Sequence, residues 1–170
     1  ERGAPVSLRY RLADGAGGWR HILDRAQVTP GQGDDAPRLL GVMIDETSAL
    51  ASQRWQAQLL AAVEQAAEAV VITDLTGRID YVNRAACETS GHPREALLGA
   101  TPRIFKSPLT PPAVHQAMWQ TLQSGAVWRG LLHNQRRDGS AYVEYATLRP
   151  VLGDDGRATH YLAVKQDVTE

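Results

Sequence analysis

The sequence has one cysteine, Cys87, in 170 residues, so no disulfide can form within the chain. A reducing compartment, the cytoplasm, is therefore the expected location. Basic clusters are missing too. The longest basic run is Arg136-Arg137, and the formal net charge is −1, which argues against a nucleic-acid groove. No apolar run approaches the roughly 20 residues that cross a bilayer, and no signal peptide opens the chain. Direct membrane contact is not expected in this region. Glu1 rather than Met stands first, which predicts a piece of a longer protein. There is no Gly-rich phosphate loop, nucleophile elbow, or kinase- or cyclase-type stretch, so no catalysis is expected. The carboxylate pairs Asp34-Asp35 and Asp154-Asp155 fall in Gly-rich turns, where aspartate serves backbone geometry. No histidines and carboxylates have metal-ligand spacing, and His133 and His160 are unremarkable.

What is present is 43% hydrophobic and 22% charged, enough for one compact core with an appendage. The strongest organising feature is an internal repeat. Near the start the chain reads Asp14-Gly15, Trp19-Arg-His-Ile-Leu, a turn from Pro30 to Pro37, Leu39-Leu-Gly-Val-Met-Ile44 and Asp45-Glu-Thr47. Near the end it reads Asp138-Gly139, Tyr142-Val-Glu-Tyr-Ala, a turn at Gly153-Asp-Asp-Gly156, Tyr161-Leu-Ala-Val164 and Asp167-Val-Thr169. The first Asp and the Asp of Asp-x-Thr are 45 − 14 = 31 and 167 − 138 = 29 residues apart. Two copies of one unit follow. Asp-Gly between extended runs signals a hairpin, so each copy reads as a three-stranded antiparallel meander. Asp-x-Thr after the last strand suits a helix N-cap.

Between the copies, residues 48–68 contain no Gly or Pro, and Ala51, Trp55, Leu59 and Val63 recur every four residues. That is an amphipathic helix, packed either on its own domain or on a second copy of itself in a homodimer. Beyond it the pattern predicts strands at 70–74 and 79–82, short helices at 83–90 and 93–98, and a longer helix at 111–123. Strands near 126–136, 141–151 and 159–167 complete it. The order β-β-α-α-α-β-β-β is an α+β arrangement, an antiparallel five-stranded sheet with helices on one face.

These residues resemble the PAS family of sensory domains. The resemblance rests on Ile72-Thr-Asp74, Gly77-Arg-Ile-Asp-Tyr-Val-Asn83, Thr89-Ser-Gly91, Leu98-Gly99, Trp119, Ser124-Gly125, Trp128-Arg-Gly130, Asn134 through Gly139, Pro150-Val and Asp167-Val-Thr-Glu170. It implies a complete PAS domain over 69–170, a linker helix over 48–68 and, over 1–47, the C-terminal strands of a preceding, incomplete PAS domain. It further implies the sensory input module of a bacterial signalling protein of histidine kinase or diguanylate cyclase type. The alternative is a ligand-free dimerisation module.

Within the family, the stretch from Pro102 to Asn134 is most similar to the redox-sensing members that hold FAD. Trp128 and Asn134 are six apart on one strand, an even separation that places both on one face. An aromatic there can pack on a flavin ring and an amide can pair with its polar edge. Arg103, Trp119 and Glu144 join Trp128 and Asn134 as expected flavin contacts. The photoactive branch of the family needs a cysteine where Pro102 stands and carries a glutamine where Lys165 stands, so a light-driven adduct is not expected. Lys165 reads two ways, favouring an anionic reduced flavin or pointing to solvent. Cys87 is expected to pack as a small apolar residue. Haem ranks behind flavin, with His115 on the long helix as its ligand, although a lone histidine beside an apolar stripe is more often a surface residue.

Overall fold

The computed structural model describes residues 5–30 and 36–170, so Asp34-Asp35 and most of the turn between Pro30 and Pro37 lie outside the described residues. The chain divides into two units, Glu1–Leu59 and Leu60–Glu170.

In the first unit β1 (Val6–Ala13), β2 (Trp19–Thr29) and β3 (Arg38–Asp45) form an antiparallel sheet of order β1-β2-β3. Helix α1 (Thr47–Glu64) leaves it at a bonded corner. The Asp45 carboxylate accepts the Thr47 amide at 3.0 Å, and the Thr47 hydroxyl accepts the His21 amide at 2.8 Å. Two orphan donors at the strand–helix junction are thereby satisfied. None of the residues of α1 is buried: Trp55 is 61% exposed. The helix also stops at Glu64 rather than running to 68. The Asn83 side-chain amide donates to the carbonyls of both Val63 and Glu68, at 3.1 and 2.9 Å, which turns the chain off the helix.

The second unit contains β4 (Ala69–Asp74), β5 (Ile79–Val82), α2 (Arg84–Ser90), α3 (Arg94–Leu97), a 3₁₀ turn (Pro102–Phe105), α4 (Pro112–Gln123), β6 (Trp128–Gln135), β7 (Ala141–Leu152) and β8 (Ala158–Asp167). Its five-stranded antiparallel sheet has the order β5-β4-β8-β7-β6. Buried Ile79, Val82, Leu97 and Phe105 form the core with Ala69, Val71, Ala86 and Ala163, and Cys87 packs against that cluster. Asn83 is fully buried. Its Oδ1 accepts the Ala86 amide at 3.0 Å, capping α2, and the Val70 amide at 2.9 Å. Gly91 ends α2 at φ 70, a left-handed position natural for glycine. Among the described residues no helix is long and apolar enough to cross a membrane.

The repeat is register-true. Every residue pair of β1 with β2, and of β2 with β3, recurs in the second unit with a constant offset: Leu12↔Arg20 becomes Asn134↔Tyr142 and Ile22↔Asp45 becomes Glu144↔Asp167 (134 − 12 = 167 − 45 = 122). The corner recurs as well. Glu46 and Val168 donate their amides to His21 and Val143, each at 2.8 Å. The Thr169 hydroxyl accepts the Val143 amide at 3.0 Å, as Thr47 accepts that of His21. The unequal spacings of 31 and 29 arise only because Asp-Gly sits two residues later in the second hairpin loop.

Candidate functional site

A cavity of about 710 Å³ opens in the second unit, walled by β4, β6, β7, β8, the 3₁₀ turn and α4. Pockets of roughly 300–1,000 Å³ hold drug- and cofactor-sized ligands. Strand alternation supplies the floor: Leu132 and Asn134 of β6, and Tyr161, Ala163 and Lys165 of β8, are buried at every second position. The helical wall comes from α4, where His115, Met118, Trp119 and Leu122 stand at i, i+3, i+4 and i+7. Trp119 is held edge-on against Tyr161, ring centroids 5.7 Å apart.

Three polar side chains are buried together at one end. The Asn134 amide donates to Glu144 Oε2 at 2.6 Å, and Lys165 Nζ donates to the same oxygen at 3.0 Å. Glu144 is 2% exposed and Lys165 7%. The ammonium also sits 4.9 Å from the centroid of the Phe105 ring. Asn134 and Lys165 line the cavity, and Glu144 stands behind them. Desolvation is the first cause that pushes the neighbouring Tyr142 hydroxyl well above the usual phenol range, followed by the Glu144 charge, so Tyr142 stays protonated.

Charge on the wall has one sign. Arg103, Lys106 and Lys165 line the cavity with His115, and no Asp or Glu does so among the described residues. His115 Nε2 is the one buried side-chain nitrogen or oxygen without a hydrogen-bond partner among the described residues. Burial, and then Lys106, hold the His115 imidazole below its ordinary range.

Of the five residues read from the sequence as flavin contacts, Arg103, Trp119 and Asn134 line the cavity. Glu144 reaches it only through Asn134 and Lys165. Trp128 shares the face of Asn134, but its ring packs beside Met118, Leu122 and Tyr161 and covers Gly130, whose missing Cβ would lie 2.7 Å from it. The even spacing placed the face correctly and says nothing of which members of a face reach the void. Lys165 points inward, not to solvent. His115 lies on the cavity wall, and its i, i+3, i+4, i+7 relation to Met118, Trp119 and Leu122 was the signal for that.

The fit to a flavin rests on these observations: a void of suitable size, apolar and aromatic walls, a buried amide, cations on the lining and one unpaired buried nitrogen. Cys87, the chain's one thiol, is in α2 and does not line the cavity, and burial pushes its pKa up.

The family model described as PAS fold matches residues 57–168. The nitrogen fixation regulatory protein of Klebsiella oxytoca is 43% identical over 107 residues, 63% of this chain and 22% of that protein. The aerotaxis receptor of Escherichia coli is 29% identical over 98 residues, 58% of this chain and 19% of that protein. The chain thus spans about a fifth of the length of these curated relatives. A light-oxygen-voltage domain studied with a flavin analogue superposes with a TM-score of 0.61 at 25% identity, covering 66% of this chain and 86% of that one.

Proposed function

The chain belongs to the PAS family, whose domains are non-catalytic sensory modules, and on that premise we propose that it is a redox input module holding FAD in the cavity of its second unit. The observation that carries this reading is the cationic, carboxylate-free cavity ending in the buried Asn134–Glu144–Lys165 group. The likeness to a light-oxygen-voltage domain studied with a flavin analogue, and to an aerotaxis receptor, supports it.

A bound flavin supplies a reversible change of charge and protonation on reduction. The residues read that change as follows. Lys165 bears a positive charge that Glu144 holds in place, and extra negative charge in the cavity draws the ammonium from Glu144. Glu144 then keeps only the Asn134 amide as a partner. Glu144 and Lys165 belong to the strands paired at the corner: Glu144 lies opposite Asp167, and Thr169 caps the Val143 amide. Loosening Glu144 shifts the population of the β7–β8 end and of whatever output element continues from it. The output of the parent protein is read as a histidine kinase or diguanylate cyclase in the cytoplasm.

Absorbance decides the cofactor. The purified chain, or the chain reconstituted with FAD, should show two bands in the near-ultraviolet and blue. A colourless protein that takes up no FAD ends the reading, and a Soret band replaces it with haem. Asn134→Ala should abolish redox-dependent changes in hydrogen exchange at Val168 and Thr169. If they persist, Asn134 has no part in the relay.

The exposed stripe of α1, with Trp55 61% and Leu59 48% exposed, favours a second, compatible reading as a homodimer module. Light scattering should give a dimer that Trp55→Glu or Leu59→Glu converts to a monomer, and the first unit is then read as the end of a preceding PAS domain.

A further inference from the structure

A buried nitrogen with no partner is unusual in a folded protein, because leaving a buried polar atom unsatisfied costs about 1–3 kcal/mol. Such an atom tends to mark a site completed by something else. Here the one instance among the described residues belongs to a side chain on the wall of the 710 Å³ cavity. We infer that His115 is a ligand-contacting residue that pairs through its imidazole with an anionic, flavin-class ligand and makes binding depend on pH. This rests on the flavin reading above.

Three observations converge on it. His115 sits on α4 one turn before Met118 and Trp119, so its side chain shares the inward face with the aromatic wall. The charged groups that line the same cavity are Lys106 and Arg103 from the segment before α4 and Lys165 from β8, all cationic. With no carboxylate to satisfy it, the imidazole has no anionic protein partner, and an incoming anion, met by the ring turning its covered Nε2 toward the void, is the complementary group. Burial, and then Lys106, favour the neutral form of the ring. A bound anion reverses that balance, so the complex takes up a proton that the free protein does not hold. Affinity is then greatest below the imidazole pKa of the complex and falls as pH rises through it.

The test is titration of the flavin-free full chain with FAD, followed by flavin fluorescence at a series of pH values from about 6 to 8.5, the range in which histidine titrates. His115→Phe keeps the ring and removes both nitrogens. It should raise Kd about tenfold, as expected for losing one charge-assisted hydrogen bond, and should flatten the pH dependence. His115→Gln keeps a donor and should restore most of the affinity without the pH dependence. Thermal unfolding without FAD supplies the structural control: His115→Phe should match or exceed wild type, because an unsatisfied buried atom has been removed. Wild-type affinity and pH profile in His115→Phe overturn the inference. So does a lower melting temperature of the flavin-free variant, because the residue would then serve packing. Failure of the wild-type chain to take up FAD at all ends the flavin reading and this inference with it, whereas either of the other results leaves the flavin reading standing.

Discussion

Tyr161 and Leu39 hold the same place in two sheets of one register, 161 − 39 = 122 residues apart, yet Tyr161 is 9% exposed and Leu39 71%. The difference lies in what surrounds each meander. In the second unit β8 is bonded on its far edge to β4, and helical segments cover the inner face. In the first, β3 is the edge strand of the described sheet, and Leu39, Leu40, Val42, Met43 and Ile44 are all exposed. The ladder and the Asp-x-Thr corner are properties of the repeat, and the cavity is not.

Comparison of the floors sharpens this. Asn134, Glu144 and Lys165 correspond at the constant offset to Leu12, Ile22 and Met43. The meander is thus compatible with apolar residues at all three places, and the buried ion pair is not a requirement of the architecture. Replacing a buried pair by apolar residues is often neutral or stabilising, whereas removing one partner costs about 3–5 kcal/mol because a charge is left stranded. Lys165→Met alone should therefore destabilise the second unit by about that amount in urea unfolding. Adding Glu144→Ile, which brings both members of the ion pair to the residues of the first sheet, should recover most or all of the loss. A double variant as unstable as the single one would show that the polar group serves folding rather than a ligand.

The next largest effect tests burial directly. Tyr161→Ala should cost about 3 kcal/mol, as large-to-small changes in a core do, while Leu39→Ala at the equivalent position should stay within about 0.5 kcal/mol. Equal losses would mean that the face of β3 is covered in solution. Hydrogen exchange resolves the same question at the backbone. Amides of β3 that do not bond to β2 should exchange at rates close to those of loops, and both sets of β8 amides should be protected toward the global limit of the second unit. Protection of β3 that grows with protein concentration would assign the cover to a second copy.

Fold was more legible than site, for a physical reason. Strand alternation and the Asp-Gly hairpins are local, and each announces itself within a few residues. The five-stranded α+β fold follows from their order. The end of α1 was misplaced because its cause, the Asn83 amide, lies about twenty residues downstream of Val63. The cavity is non-local in the same way. Parity placed Trp128 and Asn134 on one face, but only packing against Met118 and Leu122 decides that Trp128 fills space instead of lining it. Lys165 read two ways because its orientation depends on Glu144, twenty-one positions earlier on another strand.

The smallest expected effect concerns what the two meanders share. Asp45 is held at a pKa of about 2, below its ordinary 3.8, by the Thr47 hydroxyl first, then the Thr47 amide and Arg20. At Asp167 burial pushes upward, but the Thr169 hydroxyl and amide and Arg136 together outweigh it, and the carboxyl is again lowered. Both carboxylates are depressed in the folded state, so each corner contributes its full stability above about pH 4 and loses it as acid protonates the folded form. In a pH titration by NMR, the Thr47 amide should report a midpoint near the value for Asp45, and the Thr169 amide should report one below 3.8. Because hydrogen bonds to Thr47 dominate over the Arg20 charge, raising the salt to about 1 M, where the Debye length is roughly 3 Å, should move the Asp45 midpoint little. Return of that midpoint to the ordinary carboxylate value in salt would mean that the ion pair, and not the repeated Asp-x-Thr corner, sets it. The resemblance between the two copies would then stop at the strands.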